Sequence, residues 1–538
     1  MVGVAGKSQA CNACRQRRIK CDLRRPSCLK CITSNRTCPG YGRDLIFVNR
    51  TPSSPSTTAN SVLSERRAQR QPKDTLVHPR AEADLHCLFS ESSHNSLGFR
   101  KYAVELLEAI YLPKQPVASN FEPKTSEGSF SWAYRLTDLT EPSKSLDTSL
   151  FAFCLAQLHI TGTGNASLYQ CLDQYNTALQ HLYSDLEDPE RRFREETLAA
   201  IVVLSTCELF VCPAENGWSV HARGIAEILR LRDPKMARTP AWRHLFSRMR
   251  VVCTLEALTK RQAQILENDI WRQIVTESCF NGALDEIFQM SADIPAILEQ
   301  AVALTSISDA SILLRQSATV AQSILAMVKS IEGWHDASFQ ASPTPQARLV
   351  ASCAINPADT DPSSKIFPLC FEFESLSVAV PIAMYWSVAA QLYSNVIQIH
   401  DLVQARLGRH IGLEELLAQA DTTVVGAESP LDVSSQTTPF TAQKCRSIQD
   451  IQNEGTKMAR CVCQSLEYFH RIEMGTYGGH ATTYPSWSAR QYFRLHPGHE
   501  REWLWVQNMH KMEGPGTRWG LSMMTFADIV EPLGGWSK

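Results

Sequence analysis

Six cysteines near the beginning of the chain have a spacing that suits metal binding. Between residues 11 and 38 they follow the pattern C-x2-C-x6-C-x6-C-x2-C-x6-C, in which each cysteine of the first half recurs seventeen positions later. Two cysteines separated by two residues can both face one ion, and zinc takes four tetrahedral ligands of this kind. The candidate metal ligands are Cys11, Cys14, Cys21, Cys28, Cys31 and Cys38.

The ligand count predicts two zinc ions that share sulfur atoms. Two zincs with four ligands each need more coordination positions than six thiolates supply, so two thiolates must bind both ions. The internal repeat nominates its two equivalent first members, Cys11 and Cys28, as the shared ligands.

Two other interpretations of the six cysteines stay open at this point. A disulfide framework or a set of free thiols is the first, but residues 1–10 contain no apolar run of the length that a secretory signal needs. We therefore expect a reducing compartment, in which structural disulfides are rare. The second is a purely structural zinc module that does not touch nucleic acid.

Basic residues distinguish the two halves of the repeat. Four of the six residues between Cys14 and Cys21 are Arg or Lys, whereas the equivalent residues 32–37 contain only Arg36. A short segment with this density of positive charge is suited to lie among phosphates. The asymmetry predicts that the first half contacts nucleic acid and the second half supports it.

The cysteine block resembles the fungal binuclear zinc cluster family of transcription factors over about residues 10–42. The resemblance implies that Cys11 and Cys28 bridge both zincs. It also implies that the second and third cysteines complete one zinc, and that the fifth and sixth complete the other. Pro26, two residues before the fourth cysteine, is a further feature of the family and fixes a turn.

The resemblance also implies double-stranded DNA as the partner and a CGG triplet as the sequence that is bound. The family usually has a base-contacting lysine four residues after the second cysteine, where this chain has Arg18. Arginine can donate two hydrogen bonds to guanine, so base contact is feasible, and phosphate contact is the alternative. The candidate DNA-binding residues are Arg15, Arg17, Arg18, Lys20, Arg24, Arg25 and Arg43.

The charge of the chain is unevenly distributed. Residues 1–50 contain eleven Lys and Arg against Asp22 and Asp44, a formal charge of +9, so the rest of the chain carries −11 of the net −2. A basic N-terminal segment on an acidic body is expected of a DNA-binding protein with a large regulatory domain, because the electrostatic attraction to DNA is then local.

Composition divides the chain into three parts. We predict a zinc cluster domain at residues 1–50, a disordered basic linker at 51–80 and an all-helical domain at 81–538, which makes the fold mostly α. The linker is rich in Ser, Thr, Pro, Gln and Arg, and its basic run at 66–70 is either a nuclear import signal or a solvated spacer. It contains no leucine heptads, so we expect no N-terminal coiled coil. A homodimer could then form only through the helical domain.

Apolar residues at helical spacing characterise most of the chain after residue 80. Residues 101–112 and 150–160 are amphipathic, and residues 198–209 are apolar on nearly every face, as in a central buried helix. Residues 217–234 resemble the signature of the fungal-specific transcription factor domain, with Asp233 where the family has Gly. In this segment we expect Gly224 to allow close helix packing and His221 to be a core or capping residue.

Four further segments lead to structural predictions. Residues 342–365 and 422–441 are rich in Pro, Ser, Thr and Asp, and we interpret them as surface loops or disordered insertions. Residues 376–390 are strongly apolar but shorter than the roughly 20 residues of a membrane span. They should form a buried helix divided by Pro381. The tryptophan-rich end after Tyr484 should pack onto the helical body.

No catalytic constellation is present. The glycine pairs at 162–164 and 514–516 lack the pattern for dinucleotide binding, and Pro497 and Gly498 disfavour a zinc-binding helix around His496 and His499. Cys461, Cys463 and the other scattered cysteines are interpreted as small buried hydrophobic residues. We expect no enzyme and no membrane partner.

The sequence thus predicts a nuclear, sequence-specific DNA-binding transcription regulator with two zinc ions per chain. The family resemblance implies work with the transcription machinery in RNA polymerase II-dependent control of a metabolic gene set, secondary-metabolite genes included. The alternative is a zinc-clamped interaction scaffold or cofactor without DNA sequence specificity.

Overall fold

The computed structural model describes residues 14, 21–22, 28–34, 80–114, 131–211, 217–233, 239–264, 271, 273, 282–340, 346–359, 364–420, 447–521 and 532–533. The chain divides into two compact units, residues 1–70 and 71–538. The linker predicted at 51–80, apart from Arg80, and the insertion predicted at 422–441 lie outside the described residues.

The first unit contains a short helix next to the cysteines. Helix α1 (Leu29–Thr33) begins directly after Cys28 and includes Cys31. The Ser34 hydroxyl ends it, because it donates hydrogen bonds to the carbonyls of Lys30 at 2.8 Å and of Cys31 at 3.1 Å. These bonds satisfy carbonyl groups that have no partner within the last turn of a helix.

Helices make up most of the second unit, as predicted. The first of them are α2 (Ala81–Ser90), α3 (Ser96–Ile110), α4 (Ser131–Tyr134), α5 (Lys144–Thr161), α6 (Leu168–Glu187), α7 (Glu195–Val211), α8 (Gly217–Leu231) and α9 (Pro240–Lys260). They are followed by α10 (Ala283–Met290), α11 (Ile294–Ala303), α12 (Ala310–His335), α13 (Leu376–Leu407) and α14 (Leu413–Leu417). The last are α15 (Ile448–Phe469), α16 (Gly475–Ala481), α17 (Thr483–Leu495) and α18 (Glu500–Gln507).

Side-chain caps fix where several of these helices begin. Ser167 at the start of α6 and Ser447 at the start of α15 each form a capping box with the residue three positions later. Thr239 accepts a hydrogen bond from the Trp242 amide before α9, whose first residue is a proline. Each such cap satisfies amide groups that the first turn of a helix leaves without a partner, and contributes about 1 kcal/mol.

Two helices form the centre of the core. Helix α7 is buried on all sides from Glu196 to Val211 and packs against α5 and α6, which confirms the predicted central helix. Helix α13 packs against α12, α15 and α17. The prediction of a buried helix at 376–390 is confirmed, but this helix continues to Leu407 and includes Pro381 in its second turn instead of being divided there.

Helix α13 meets the length and composition of a membrane span, yet it is a core helix. Its most apolar 18-residue window has a mean hydropathy of 1.3, and 89% of that window is buried inside the protein. The hydrophobic surface of α13 is therefore already covered by neighbouring helices. The helix ends at Gly408, whose φ of +63° is the left-handed conformation of a glycine C-cap.

The second unit also contains a two-stranded sheet, which the sequence did not predict. Strand β1 (Ala347–Ala351) pairs antiparallel with β2 (Leu369–Phe373), and Ala347 lies opposite Phe373. The interpretation of residues 342–365 as a segment without regular structure therefore needs correction, and the domain is not all-helical. Because β1 has only five residues, the Pro, Ser and Asp residues around it dominated the composition.

Polar contacts with α15 and with the residues just after it hold this sheet region in place. The Glu467 carboxylate accepts hydrogen bonds from the Ser352 hydroxyl at 2.6 Å and from the Cys353 amide at 3.0 Å. Arg471 forms an ion pair with Glu372 of β2. The connection after β1 is therefore fixed to the helical body by side chains far away in the sequence.

The tryptophan-rich end packs onto the body, as expected. Trp487, Trp505 and Trp519 are all buried, and Trp505 lies edge-on to Phe367, with ring centroids 4.8 Å apart. Trp536 lies outside the described residues.

Candidate metal centre

Three cysteine thiols of the first unit converge on one point. Cys14, Cys28 and Cys31 are completely buried, and their sulfur atoms all lie within 4.8 Å of one another. The Sγ atoms of Cys14 and Cys28 are 3.6 Å apart. The structure thus brings together three predicted ligands from both halves of the repeat.

The distance between these sulfur atoms fits zinc and does not fit a disulfide. A disulfide bond is about 2.0 Å long, so the Cys14 and Cys28 thiols, at 3.6 Å, are not joined. Two thiolates on one tetrahedral zinc with Zn–S of about 2.3 Å are separated by about 3.8 Å. The donor set of buried sulfurs is therefore spaced as zinc requires.

Cys28 is common to two groups of potential ligands. Besides its contacts with Cys14 and Cys31, it lies within 4.8 Å of the Cys21 thiol and the Asp22 carboxylate. Its sulfur also accepts a hydrogen bond from the Cys31 amide at 3.4 Å, which stabilises a thiolate. A sulfur that faces cysteines of both halves is placed as a shared ligand would be.

Asp22 was not among the predicted ligands. Its exposed carboxylate lies near the sulfurs of Cys21 and Cys28. The carboxylate is thus an additional oxygen donor near two of the predicted sulfur ligands. An acidic residue directly after a ligand cysteine was the available sequence signal, but its charge alone does not distinguish a ligand from a solvated residue.

The other predicted site residues lie outside the described part of the chain. These are Cys11, Cys38 and the candidate DNA-binding residues Arg15, Arg17, Arg18, Lys20, Arg24, Arg25 and Arg43. Lys30 of α1 is described and is exposed, although it is not one of the candidates from the sequence.

Most of the described cysteines of the second unit are inert core residues. Burial raises the pKa of the Cys171 and Cys253 thiols to about 12 and that of Cys461 to about 11, so these thiols stay protonated at neutral pH. The interpretation as small buried hydrophobic residues does not hold for all, because Cys87 and Cys353 are exposed.

The histidines considered in the sequence have partners other than metals. His496 hydrogen-bonds to the Ser394 hydroxyl at 2.9 Å, whereas His499 contacts the Thr456 hydroxyl. His221 lies 2.8 Å from the Tyr175 hydroxyl, as a core histidine would. Within the described ranges, the groups of potential metal ligands are those formed by the N-terminal cysteines and Asp22.

Comparison with known families agrees with this geometry. Residues 9–45 match the fungal Zn(2)-Cys(6) binuclear cluster domain, and residues 115–418 match the fungal specific transcription factor domain. The second match covers more than half of the chain. No solved structure matches the chain.

Two curated proteins are similar to parts of the chain. An uncharacterized transcriptional regulatory protein of Schizosaccharomyces pombe is 30% identical over 154 residues, which are 28% of this chain and 24% of that protein. An uncharacterized protein of Emericella nidulans is 25% identical over 145 residues, which are 25% of this chain and 31% of that protein. The similarity thus spans less than a third of either relative.

The matched N-terminal domain and the cysteine geometry both indicate a zinc cluster. A binuclear cluster of this kind binds two zinc ions and contacts DNA, and the six cysteines are present in the chain. Both matched families consist of transcription factors, whose function is nuclear and is not enzymatic. The chain therefore belongs to the fungal specific transcription factor domain family and carries an N-terminal fungal Zn(2)-Cys(6) binuclear cluster.

Proposed function

We propose that this protein is a nuclear regulator that reads CGG-type triplets in double-stranded DNA through its zinc cluster. It acts with the transcription machinery in RNA polymerase II-dependent control of a metabolic gene set, secondary-metabolite genes included. The observation that carries the proposal is the convergence of the Cys14, Cys28 and Cys31 thiols. A strongly basic segment follows Cys14 directly in the sequence.

The proposed zinc ligands are the six cysteines of the repeat, with Cys11 and Cys28 shared by both ions. The position of Cys28 supports this assignment, because its sulfur lies close to Cys14 and Cys21 as well as to Cys31. Cys14 and Cys21 would then complete one zinc, and Cys31 and Cys38 the other. The chain supplies thiolates of the softness that zinc prefers.

The proposed DNA contacts come from the segment between the second and third cysteines and from the basic residues after it. Four of six residues there are cationic, and both flanking cysteines lie within reach of Cys28. The basic residues are therefore tied at both ends to the metal cluster. Phosphate contacts orient such a module, and Arg18 is the residue that we assign to the guanine edge.

We further propose that the zinc cluster binds one triplet as a monomer. A dimer on paired triplets needs a coiled coil that fixes the spacing of the two half-sites, and residues 51–80 contain no leucine heptads. The proposed domain division, with the cluster at 1–50 and the helical domain at 81–538, leaves the helical domain as the place for any dimer contact.

Replacing Arg18 tests the proposed base recognition. The Arg18→Ala variant should bind a CGG duplex more weakly by about 1–3 kcal/mol, because it loses hydrogen bonds to guanine, while its affinity for a scrambled duplex changes little. The measurement is the dissociation constant of the full-length chain for both duplexes at one fixed salt concentration.

The matched control is Arg36→Ala, which removes a charge from the other half of the repeat. It should weaken binding to both duplexes by the same factor. Equal losses on both duplexes for Arg18→Ala would assign Arg18 to a phosphate. A wild-type chain that does not distinguish the duplexes would favour a scaffold without sequence specificity.

A further inference from the structure

A buried arginine of the second unit faces an apolar cavity without a carboxylate partner. Arg248 of α9 is 8% exposed, and its Nη2 donates a hydrogen bond to Nε2 of His480 at 2.8 Å. Its Nε has no hydrogen-bond acceptor. Among the described residues, no carboxylate forms an ion pair with this guanidinium.

Two other buried arginines of the same unit are neutralised. Arg100 forms an ion pair with Asp147 at 2.6 Å, and Arg250, two residues after Arg248, forms one with Asp285. Burying an ion without a counter-charge costs several kcal/mol. Arg248 therefore differs from Arg100 and Arg250. Among the described residues Arg261 is also buried without an ion pair, but the cavity beside it is about 10 Å³, against about 50 Å³ at Arg248.

The groups around Arg248 are neutral. A guanidinium can only donate hydrogen bonds, so Nε2 of His480 accepts, and Nδ1 carries the proton and donates it to the Tyr111 hydroxyl at 2.8 Å. Burial and the charge of Arg248 hold the pKa of His480 well below its usual range. Burial raises the pKa of Tyr111 and Tyr477, so both phenols stay protonated. No negatively charged group of the described residues therefore compensates the positive charge of Arg248.

The cavity next to this charge has mostly apolar walls. Its volume is about 50 Å³. Its walls include Leu209, Trp218, Val251, Phe288, Val380 and Met384. A single water needs about 10–15 Å³ on this measure, so the cavity has room for roughly three to five waters or one small organic molecule.

Helices that are far apart in the sequence contribute to this cavity. Arg248 and Val251 come from α9, whereas Tyr477 and His480 come from α16, beyond the part that matches the transcription factor domain. Helix α16 lies close to the end of α15 because it has glycine where a side chain would collide. A Cβ at Gly478 would lie 1.8 Å from the Phe469 carbonyl oxygen. The Tyr477 amide also donates a hydrogen bond to the Tyr111 carbonyl at 2.9 Å.

We propose that this cavity binds a small organic carboxylate, with its carboxylate at Arg248 and a short apolar chain between the helices. The anion supplies the missing counter-charge, and its apolar part covers the hydrophobic wall. Leu255, Leu284 and Ala481 are only half-buried and form the side of the cavity nearest to solvent. The binding goes beyond the proposed DNA recognition and does not depend on it.

Butanoate is a suitable probe, with butanamide as its neutral isostere. A ligand of about six heavy atoms should bind with a Kd of about a millimolar. We expect butanoate to raise the thermal unfolding midpoint of the full-length chain in a saturable manner at constant ionic strength. Butanamide and chloride should not raise it. A change in tryptophan fluorescence that is absent from a Trp218→Phe variant gives a second readout, because Trp218 lies in the cavity wall.

Three variants test the assignment. Arg248→Met should weaken butanoate binding about tenfold to a hundredfold, because a charge-assisted hydrogen bond is lost. The matched control is Arg261→Met, which removes a buried guanidinium beside a different cavity of about 10 Å³ and should keep full binding. Val251→Phe fills the cavity while keeping the Arg248 guanidinium, and should also abolish binding.

Specific results would overturn the proposal. These are equal effects of butanoate and butanamide, unchanged butanoate binding in both Arg248→Met and Val251→Phe, or the absence of a saturable shift in the wild type. An equal effect of phosphate or chloride would show an adventitious ion only. No DNA is present in these measurements, so their failure leaves the proposed DNA recognition untouched.

Discussion

Cys28 is the described cysteine that belongs to both groups of potential metal ligands. Its buried sulfur lies 3.6 Å from that of Cys14 and also faces Cys21 and Cys31. A thiolate shared by two zincs cannot be removed without opening the coordination of both, whereas a terminal ligand opens only one. The proposed ligand assignment can therefore be tested by counting zinc ions.

The wild-type chain should contain two zincs, and Cys28→Ser should lose both. Cys31→Ser should retain about one zinc, because only one ion loses a ligand. The measurement is the metal content per chain of the purified full-length protein. Cys87→Ser is the matched control, since Cys87 is an exposed cysteine of the second unit and its loss should leave two zincs. A Cys28→Ser variant that keeps one zinc would contradict the shared-ligand assignment.

The residues of the two candidate sites differ in how well they can be predicted from sequence. The cysteine ligands are recognisable because they lie within 28 residues of one another at a fixed spacing. Arg248 and His480 are 232 residues apart, and they meet only through tertiary packing. The local signal near His480 is the run Gly475 to Gly479 with Tyr477 in it, but glycine content alone does not indicate what the segment approaches.

At the scale of elements, the short helix α16 depends on its glycines. Gly475 has a φ of +60°, and a Cβ there would lie 2.4 Å from the Tyr111 carbonyl oxygen. A Cβ at Gly478 would lie 1.8 Å from the Phe469 carbonyl oxygen. Because both neighbours are backbone atoms, they cannot move aside as a flexible side chain would. The close packing of α16 against these two carbonyl groups therefore requires glycine at both positions.

Gly478→Ala should destabilise the second unit by at least about 2 kcal/mol, because α16 must move away from the preceding turn. Gly224→Ala is the matched control. Gly224 is exposed in α8 and a Cβ added there would have nothing within 4 Å, so this change should stabilise by about 0.4–1 kcal/mol through helix propensity and a less flexible unfolded chain. The measurement is the free energy of unfolding in urea. A Gly478→Ala variant as stable as the wild type would show that α16 packs less closely.

The surroundings of Gly224 also correct one sequence-based expectation. We expected Gly224 to allow close helix packing, but it faces open space. Continuous apolar runs were sufficient to predict buried helices at α7 and in the first half of α13, because their burial is continuous along the chain. Periodicity was not sufficient for β1 and β2, since each strand has five residues and depends on its partner 18 or more residues away.

At the scale of the whole molecule, the N-terminal segment and the rest of the chain carry opposite net charges. Residues 1–50 carry a formal charge of +9 and the remaining residues −11. The attraction to DNA therefore comes from the N-terminal segment, and the helical unit adds no favourable long-range term. This separation is readable from the sequence, because it depends on composition and not on contacts.

Selection from a random pool of duplexes tests the central claim most directly. The full-length, zinc-loaded chain is allowed to retain duplexes at a fixed salt concentration, and the retained sequences are determined. We predict enrichment of a single CGG triplet without a fixed spacing to a second one, and loss of this enrichment after zinc is removed by a chelator. Retained duplexes without any enriched triplet would contradict the claim that the zinc cluster reads DNA sequence.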